Sequence, residues 1–327
     1  MSVGSRSVTD SSIARLDPGD CDVLAEVAGK LAVAEPGLID EASWVAAARQ
    51  AWHSAPAAMR GVLAEFRRDS GPQGALLLRG LPIDEANVPA TPLVEGSVQR
   101  TTTVAAAILM LAACGLGDPV AFRAEKTGAL VQDVVPVPGK EEFQGNAGSV
   151  LLEWHNENAF HSYRPDYVML LCLRADHDGI AGLRTACVRQ ALPLLSDEGR
   201  AALSAPEFVT QPPPSFGAVA GGGEPHGVLT GAPDDPDLKV DLAATTGLTP
   251  RAERALAELQ EVFAKVGRTS VLSPGDLAIV DNRVTVHGRT AFQPRYDGRD
   301  RWLQRTFVLR DLRRSRDQRP GDCYVID

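Results

Sequence analysis

The chain has 327 residues, 44% of them apolar and 23% charged, with a net charge of −9 and five cysteines. This is the composition of a globular chain long enough for one large domain or two smaller ones. It argues against a nucleic-acid or anionic-membrane binder, which needs a basic surface, and an odd cysteine count without CxxC argues against a disulfide framework or a zinc ribbon.

Residues 1–15 are Ser-rich, with no apolar core for a secretory signal, and predict a loose tail ahead of a single domain over 16–327. No later segment reaches the ~20 apolar residues of a membrane span. A cytoplasmic protein with a small-molecule partner, and with neither nucleic acid nor membrane as partner, is therefore expected.

Residues 20–117 predict mostly helix. CDVLAEVAGKLAV has apolar residues at helical spacing, and EASWVAAARQAWHSAPAAMRGVLAEFRRDSG is Ala-rich with an expected break near Pro56. GALLLRGLP reads as a buried strand, and VAAAILMLAACGLG, residues 104–117, as a buried helix closed by glycine.

Over 128–311 the segments shorten and turn β-rich: LVQDVVPV, SVLLEWH, DYVMLLCLRA, LRTACVRQ, DLKVDLA, DLAIVDN and RWLQRTFVLR. LPLLSDEGRAAL and TPRAERALAELQEVFAKVG interrupt them as helices. With no βαβ rhythm and no GxGxxG, the fold class expected is α+β with a mainly β core, a jelly roll flanked by helices. PPPSFGAVAGGGEPHGVLTGAPDDPD, about residues 212–237, is too rich in Gly and Pro for regular structure and predicts a lid or insertion; a domain boundary is the alternative.

In LLEWHNENAFH, His155 and Glu157 lie two residues apart and so share one face of a strand. His161 is on the same alternation and rivals His155, unless the chain leaves the strand after Glu157, where Asn156 and Asn158 suit a turn. A third donor, His287, follows in DNRVTVHGR. Two histidines and one carboxylate with positions left open are the ligand set of non-haem Fe(II) oxygenases, the open positions suiting a 2-oxo acid and dioxygen. His53, His177 and His226 read as loop or surface residues.

On RWLQRTFVLR, alternation sets Arg301, Leu303, Arg305 and Phe307 on one face and Trp302, Gln304, Thr306 and Val308 on the other. Apolar residues on both faces predict a covered strand. Two arginines there need anions, and carboxylates suit the guanidinium fork.

These motifs stand in longer runs, among them LVQDVVPVPGKEEFQGNAGS, HNENAFHSYRPDYVMLLCLRAD and GDLAIVDNRVTVHGRTAFQPRYDGRDRWLQRTFVLRDLRRSR. The chain resembles the 2-oxoglutarate/Fe(II) dioxygenases of the clavaminate synthase-like group. Within it, the resemblance is to the branch that hydroxylates free amino acids, asparagine above all, for nonribosomal peptide antibiotics. It covers nearly the whole chain except the tail and the lid region.

The resemblance implies a double-stranded β-helix and His155, Glu157 and His287 as iron ligands. It puts Arg301 at the far carboxylate of 2-oxoglutarate, with Arg295 and Arg299 as rivals in a turn, and suggests a hydroxyl from Thr185. Arg305 is placed for the substrate carboxylate, Glu125 for its amine, and Asn146 and Asp241 for its side chain. An ionised Asp241 accepts hydrogen bonds only, so it favours an amide over a carboxylate. Plainer roles compete: Glu125 paired with Lys126, Asn146 capping a turn, Asp241 bonded to backbone, Arg305 paired with an internal acid.

The implied chemistry uses Fe(II), 2-oxoglutarate and O2, releases succinate and carbon dioxide, and hydroxylates Cβ. The alternatives are arginine, whose guanidinium would call for a second acid such as nearby Asp237, a carrier-bound residue, or a non-catalytic metal-binding sensor. A thioester-bound residue would leave Arg305 no free carboxylate.

Overall fold

Val104–Leu116 carries no charge and forms a helix buried on almost every side. Thr103 caps it, its hydroxyl accepting from the Ala106 N–H at 3.1 Å. A helix that is apolar all round must be covered all round. The helices Pro18–Ala32, Ala42–Ala51 and Ala57–Arg68 cover one side and a β-sheet the other. The break near Pro56 is present: a short 3-10 turn, Trp52–Ser54, precedes it, and Pro56 caps the next helix.

The computed structural model describes residues 12–217, 223–319, 321 and 324–327. Its strands, in chain order, begin with β1 (Ile13–Arg15), β2 (Ala75–Arg79), β3 (Asp118–Phe122), β4 (Gln132–Val134) and β5 (Leu152–His155). There follow β6 (Tyr167–Arg174), β7 (Gly182–Cys187), β8 (Phe208–Thr210), β9 (Leu229–Ala232), β10 (Asp235–Leu238) and β11 (Thr245–Gly247). The last are β12 (Arg268–Val271), β13 (Leu277–Asp281), β14 (Thr285–Arg289), β15 (Trp302–Leu309) and β16 (Val325–Ile326).

The larger sheet runs β1-β2-β13-β6-β15-β3-β16, with β4 also on β15, and the smaller runs β12-β7-β14-β5. Alternation on β15 holds as expected. Leu303 and Phe307 pack between the sheets, whereas Trp302 and Val308 pack with the helices. A third apolar layer joins the smaller sheet, through Val286 and Trp154, to the helix Pro250–Val266, through Leu259 and Phe263. Sheet on sheet with helices outside both is the jelly roll expected over the β-rich half. Among the described residues no helix is long and apolar enough to cross a membrane.

Two expectations are corrected, and the expected closing glycine proves to have a packing role. Ile13–Arg15 pairs in parallel with β2, so the end of the tail belongs to the sheet; residues 1–11 lie outside the described residues. The region 212–237 does hold regular structure, because β9 and β10 form a hairpin. Leu229 and Leu238 pair across it and are both buried, which gives this Gly- and Pro-rich stretch an apolar anchor; residues 218–222 lie outside the described residues. Finally, Gly117 ends its helix for a reason other than a left-handed cap. Its φ of 170° is extended backbone, but a Cβ there would stand 2.3 Å from the Leu309 carbonyl oxygen of β15.

Gly117→Ala must therefore push the buried helix off the sheet. It is expected to lower stability by about 1–3 kcal/mol, read from urea or thermal unfolding; an unchanged midpoint would mean that the backbone at 309 yields freely.

Candidate metal centre and its pocket

β5 ends at His155, and the next residues leave the sheet under the control of two buried asparagines. Asn156 donates from Nδ2 to the carbonyls of Asn282 (3.1 Å) and Thr285 (3.0 Å), and its Oδ1 accepts from the Val240 N–H (3.0 Å). Asn282 accepts from the Glu157 N–H (2.8 Å) and donates to the carbonyls of Glu157 (3.0 Å) and Pro165 (2.9 Å). Side-chain amides thus replace a strand ladder and hold Glu157 by its backbone. The chain then turns at Asn158, with φ +50°.

His287 sits opposite His155 in the β14–β5 register, with ring centroids 4.3 Å apart. His155 Nδ1 donates to the Glu153 carbonyl at 2.9 Å; since a carbonyl only accepts, Nδ1 carries the proton and Nε2 is left as a donor for a metal. His287 turns Nε2 to within 3.6 Å of Glu157 Oε2. The ligand atoms of His155, Glu157 and His287 lie within 4.8 Å of one another, so two imidazoles and a carboxylate fit a divalent iron.

Burial, and then the neighbouring His155, lower the His287 pKa to about 4, so the ring is neutral as a ligand must be. Burial alone would raise the Glu157 pKa, but Arg305 and His287 hold it well below the carboxylate range.

His161 is not part of this group. Its Nδ1 accepts from the Tyr163 N–H at 3.0 Å, and the ring packs edge-on against Phe122 and Phe160. His53 is exposed and His226 bonds to Thr210. His177 lies between Asp297 (3.0 Å) and Asp300 (3.6 Å), away from the triad.

Arg305 is buried and binds several acceptors at once. Nη1 meets both Glu157 oxygens at 3.1 and 3.0 Å, and Nη2 meets Glu125 and Gln132. With its amide oriented to match, Asn146 accepts from Nη2 at 3.0 Å and Nη1 at 3.2 Å. Arg305 is thus paired with internal acids, whereas Glu125 pairs with Arg305 and not with Lys126 as an exposed couple. Among the described residues one oxygen of Glu125, Oε2, is buried without a hydrogen bond, although the Asn158 side chain lies near enough to favour its charge.

A cavity of about 530 Å³ is lined by His155 and Glu157 of the triad, and also by Asn146, Asp241, Arg305 and Pro212–Pro214. Asp241 spends Oδ1 on the Ala243 N–H (2.9 Å), so the backbone-bonded reading accounts for half of this carboxylate. Arg301 is buried immediately before β15, and among the described residues it has no hydrogen bond or ion pair. Arg295 pairs with Asp178 at the surface, and Arg299 is exposed. Thr185 faces His287 in register but lines another cavity, with Leu183, Ala278 and Val280.

The family model for the taurine catabolism dioxygenase TauD, TfdA family, matches residues 229–307. An L-asparagine oxygenase of Streptomyces coelicolor is 64% identical over 311 residues, covering 95% of this chain and 93% of the relative. Clavaminate synthase 2 of Streptomyces clavuligerus is 35% identical, covering 88% of each. The chain belongs to the clavaminate synthase-like dioxygenases. A solved asparagine oxygenase in complex with Fe(II), 2S,3S-3-hydroxyasparagine and succinate superposes with a TM-score of 0.94 at 63% identity, over 96% of this chain and 99% of that one.

Sequence reasoning on this dioxygenase missed Gln132, buried against Arg305, because a lone glutamine in LVQDVVPV carries no motif. It also missed the clamps Asn156 and Asn282, although Asn156 stands between two candidate ligands in HNE and Asn282 lies in the DNRVTVHGR run that carries the third. Asn282→Ala should free Glu157 while leaving the sheets intact. The expected result is a metal affinity lower by about ten- to a hundredfold, measured by metal titration with circular dichroism as the folding control; an unchanged affinity would show that Glu157 is held without it.

Proposed function

We infer that this chain is a non-haem Fe(II)/2-oxoglutarate-dependent dioxygenase that hydroxylates Cβ of a free amino acid, L-asparagine, to 3-hydroxyasparagine. The observation that carries the reading is Arg305, a buried cation beside the triad that is paired with Glu125, one oxygen of which has no hydrogen bond among the described residues. A zwitterion needs that pairing, an arginine for its carboxylate and an acid for its ammonium. Likeness to a protein named asparagine oxygenase, and to a structure holding 3-hydroxyasparagine and succinate, supports it.

In this proposal His155, Glu157 and His287 hold iron, and Arg301 binds the far carboxylate of 2-oxoglutarate. When bound, the iron and 2-oxoglutarate supply the oxidising power, with O2 consumed and succinate and carbon dioxide released. The remaining residues orient the substrate. Arg305 and Glu125 fix the Cα substituents and so aim Cβ at the triad. Asn146 and the free oxygen of Asp241 take the side-chain amide. Pro212–Pro214 form a wall that limits water. Carbon needs no general base. A role in nonribosomal peptide assembly, and a cytoplasmic location, are part of the same proposal.

The arginine reading loses its second acid, because Asp237 is half exposed and faces Arg283 at 4.0 Å. A carrier-bound substrate would bring no free carboxylate to Arg305, whose Nε has no hydrogen bond among the described residues. A sensor would have no use for Arg301 without an internal partner.

The test is an anaerobically iron-loaded, oxygen-started assay for succinate across free amino acids, with mass spectrometry of products. Asparagine-dependent succinate and a product with one added oxygen are expected; no coupled turnover with any free amino acid would sink the reading. In the same assay, Asp241→Asn removes the carboxylate that repels an acidic side chain, so discrimination between asparagine and aspartate is expected to fall by about tenfold or more. Equal discrimination in the variant would assign selectivity elsewhere.

A further inference from the structure

One arginine of the HGR motif has no part in the reading above. Granted the cosubstrate assignment, on which this rests, we propose that Arg289 joins Arg301 in a two-guanidinium seat for the far carboxylate of 2-oxoglutarate. In the same proposal, Arg289 ties that seat to the segment carrying Asn146.

Arg289 ends β14 two residues after His287, so both side chains leave the strand on the same face. The side chain is buried, yet it meets no carboxylate among the described residues. Nη1 reaches the Gly145 carbonyl at 3.4 Å and Nη2 the Val150 carbonyl at 3.1 Å, while Nε is buried without a hydrogen bond among the described residues. Arg301 is equally buried and has no ion pair among the described residues, with Asp176 favouring its charge only from beyond ion-pair distance. The two guanidinium carbons stand 5.4 and 5.9 Å from the centre of the same ring, Phe292.

Two like charges sharing a dry site destabilise each other, and each also loses its hydration. A purely structural tie to two carbonyls would be served by a neutral donor at lower cost. A carboxylate removes the difficulty, because its two oxygens can each accept from a different guanidinium.

The same arginine touches both ends of a loop. Gly145 and Val150 bracket Asn146, the Ser149 and Val150 N–H groups return to the Glu141 carbonyl at 2.9 and 3.2 Å, and Phe292 donates its N–H to the Ser149 carbonyl at 3.0 Å. Drawing Arg289 toward an anion therefore pulls on the segment that presents Asn146 to the substrate. Cosubstrate binding would thereby prepare the amide pocket.

The test compares 2-oxoglutarate with 2-oxopentanoate, which lacks the far carboxylate. Affinities are read anaerobically from the visible charge-transfer band of the iron-loaded protein, without turnover. Arg289→Gln is expected to weaken 2-oxoglutarate by about ten- to a hundredfold and to leave 2-oxopentanoate within about twofold. Arg289→Lys, the safer variant for folding, is expected to fall between.

Equal weakening of both acids by the glutamine variant, or a lysine variant with the full wild-type preference, would overturn the seat. Trypsin cleavage after exposed Lys140 reads the loop: 2-oxoglutarate should protect the wild type and not the glutamine variant, and equal protection would overturn the coupling. A wild type that binds 2-oxopentanoate as well as 2-oxoglutarate, or neither, would instead overturn the cosubstrate reading itself.

Discussion

A carboxylate that is to hold a metal inside a protein must be kept ionised where burial favours its proton. Glu157 meets that constraint through Arg305, and much of the surrounding structure follows from it. Glu157 and Glu125 would repel each other, so one guanidinium is set between them, with Gln132 and Asn146 as further neutral acceptors for its Nη groups. A buried charge network is favourable only when nearly all its members are satisfied. Among the described residues the exceptions are Nε of Arg305 and Oε2 of Glu125, the two groups that the proposed substrate would satisfy.

Rigid and adaptable parts divide along chemical lines. His155 and His287 come from paired strands of the smaller sheet, and Arg305 comes from β15 within the larger one. These positions are held by ladders and by apolar layers on both sides. Asn146, Asp241 and Pro212–Pro214 sit on loops over the same cavity. Loops set over a rigid sheet scaffold are the parts of such a site that can change without disturbing its frame. Glu157 bridges the two regimes: it lies past the end of its strand, and two asparagines supply the stiffness the ladder no longer gives.

Some features were legible because they are local. The uncharged run at 104–116 could only be a buried helix, and alternation on β15 placed each side chain in its layer. Other features carried no local sign. The 229–238 hairpin is hidden in a Gly- and Pro-rich stretch and depends on two leucines finding the core. Gly117 looks like a helix stop but serves a close approach to β15. Thr185 lies beside His287 yet opens into a different cavity.

By itself the sequence determined which residues have the chemistry and which face of its strand each takes. Two histidines, one glutamate and a pair of arginines were all present at spacings that a pleated strand converts into shared faces. Only the tertiary structure decided which of them meet. His155 was chosen over His161 because β14 pairs with β5 in a register that sets His287 opposite His155, while His161 is carried off into an aromatic cluster. It likewise brought Gln132 and Glu125 to Arg305 and set Arg289 beside Arg301 around one ring. Spacing along a chain encodes direction, but distance between segments far apart in sequence is set by strand register and by the packing of whole sheets, which no single stretch contains.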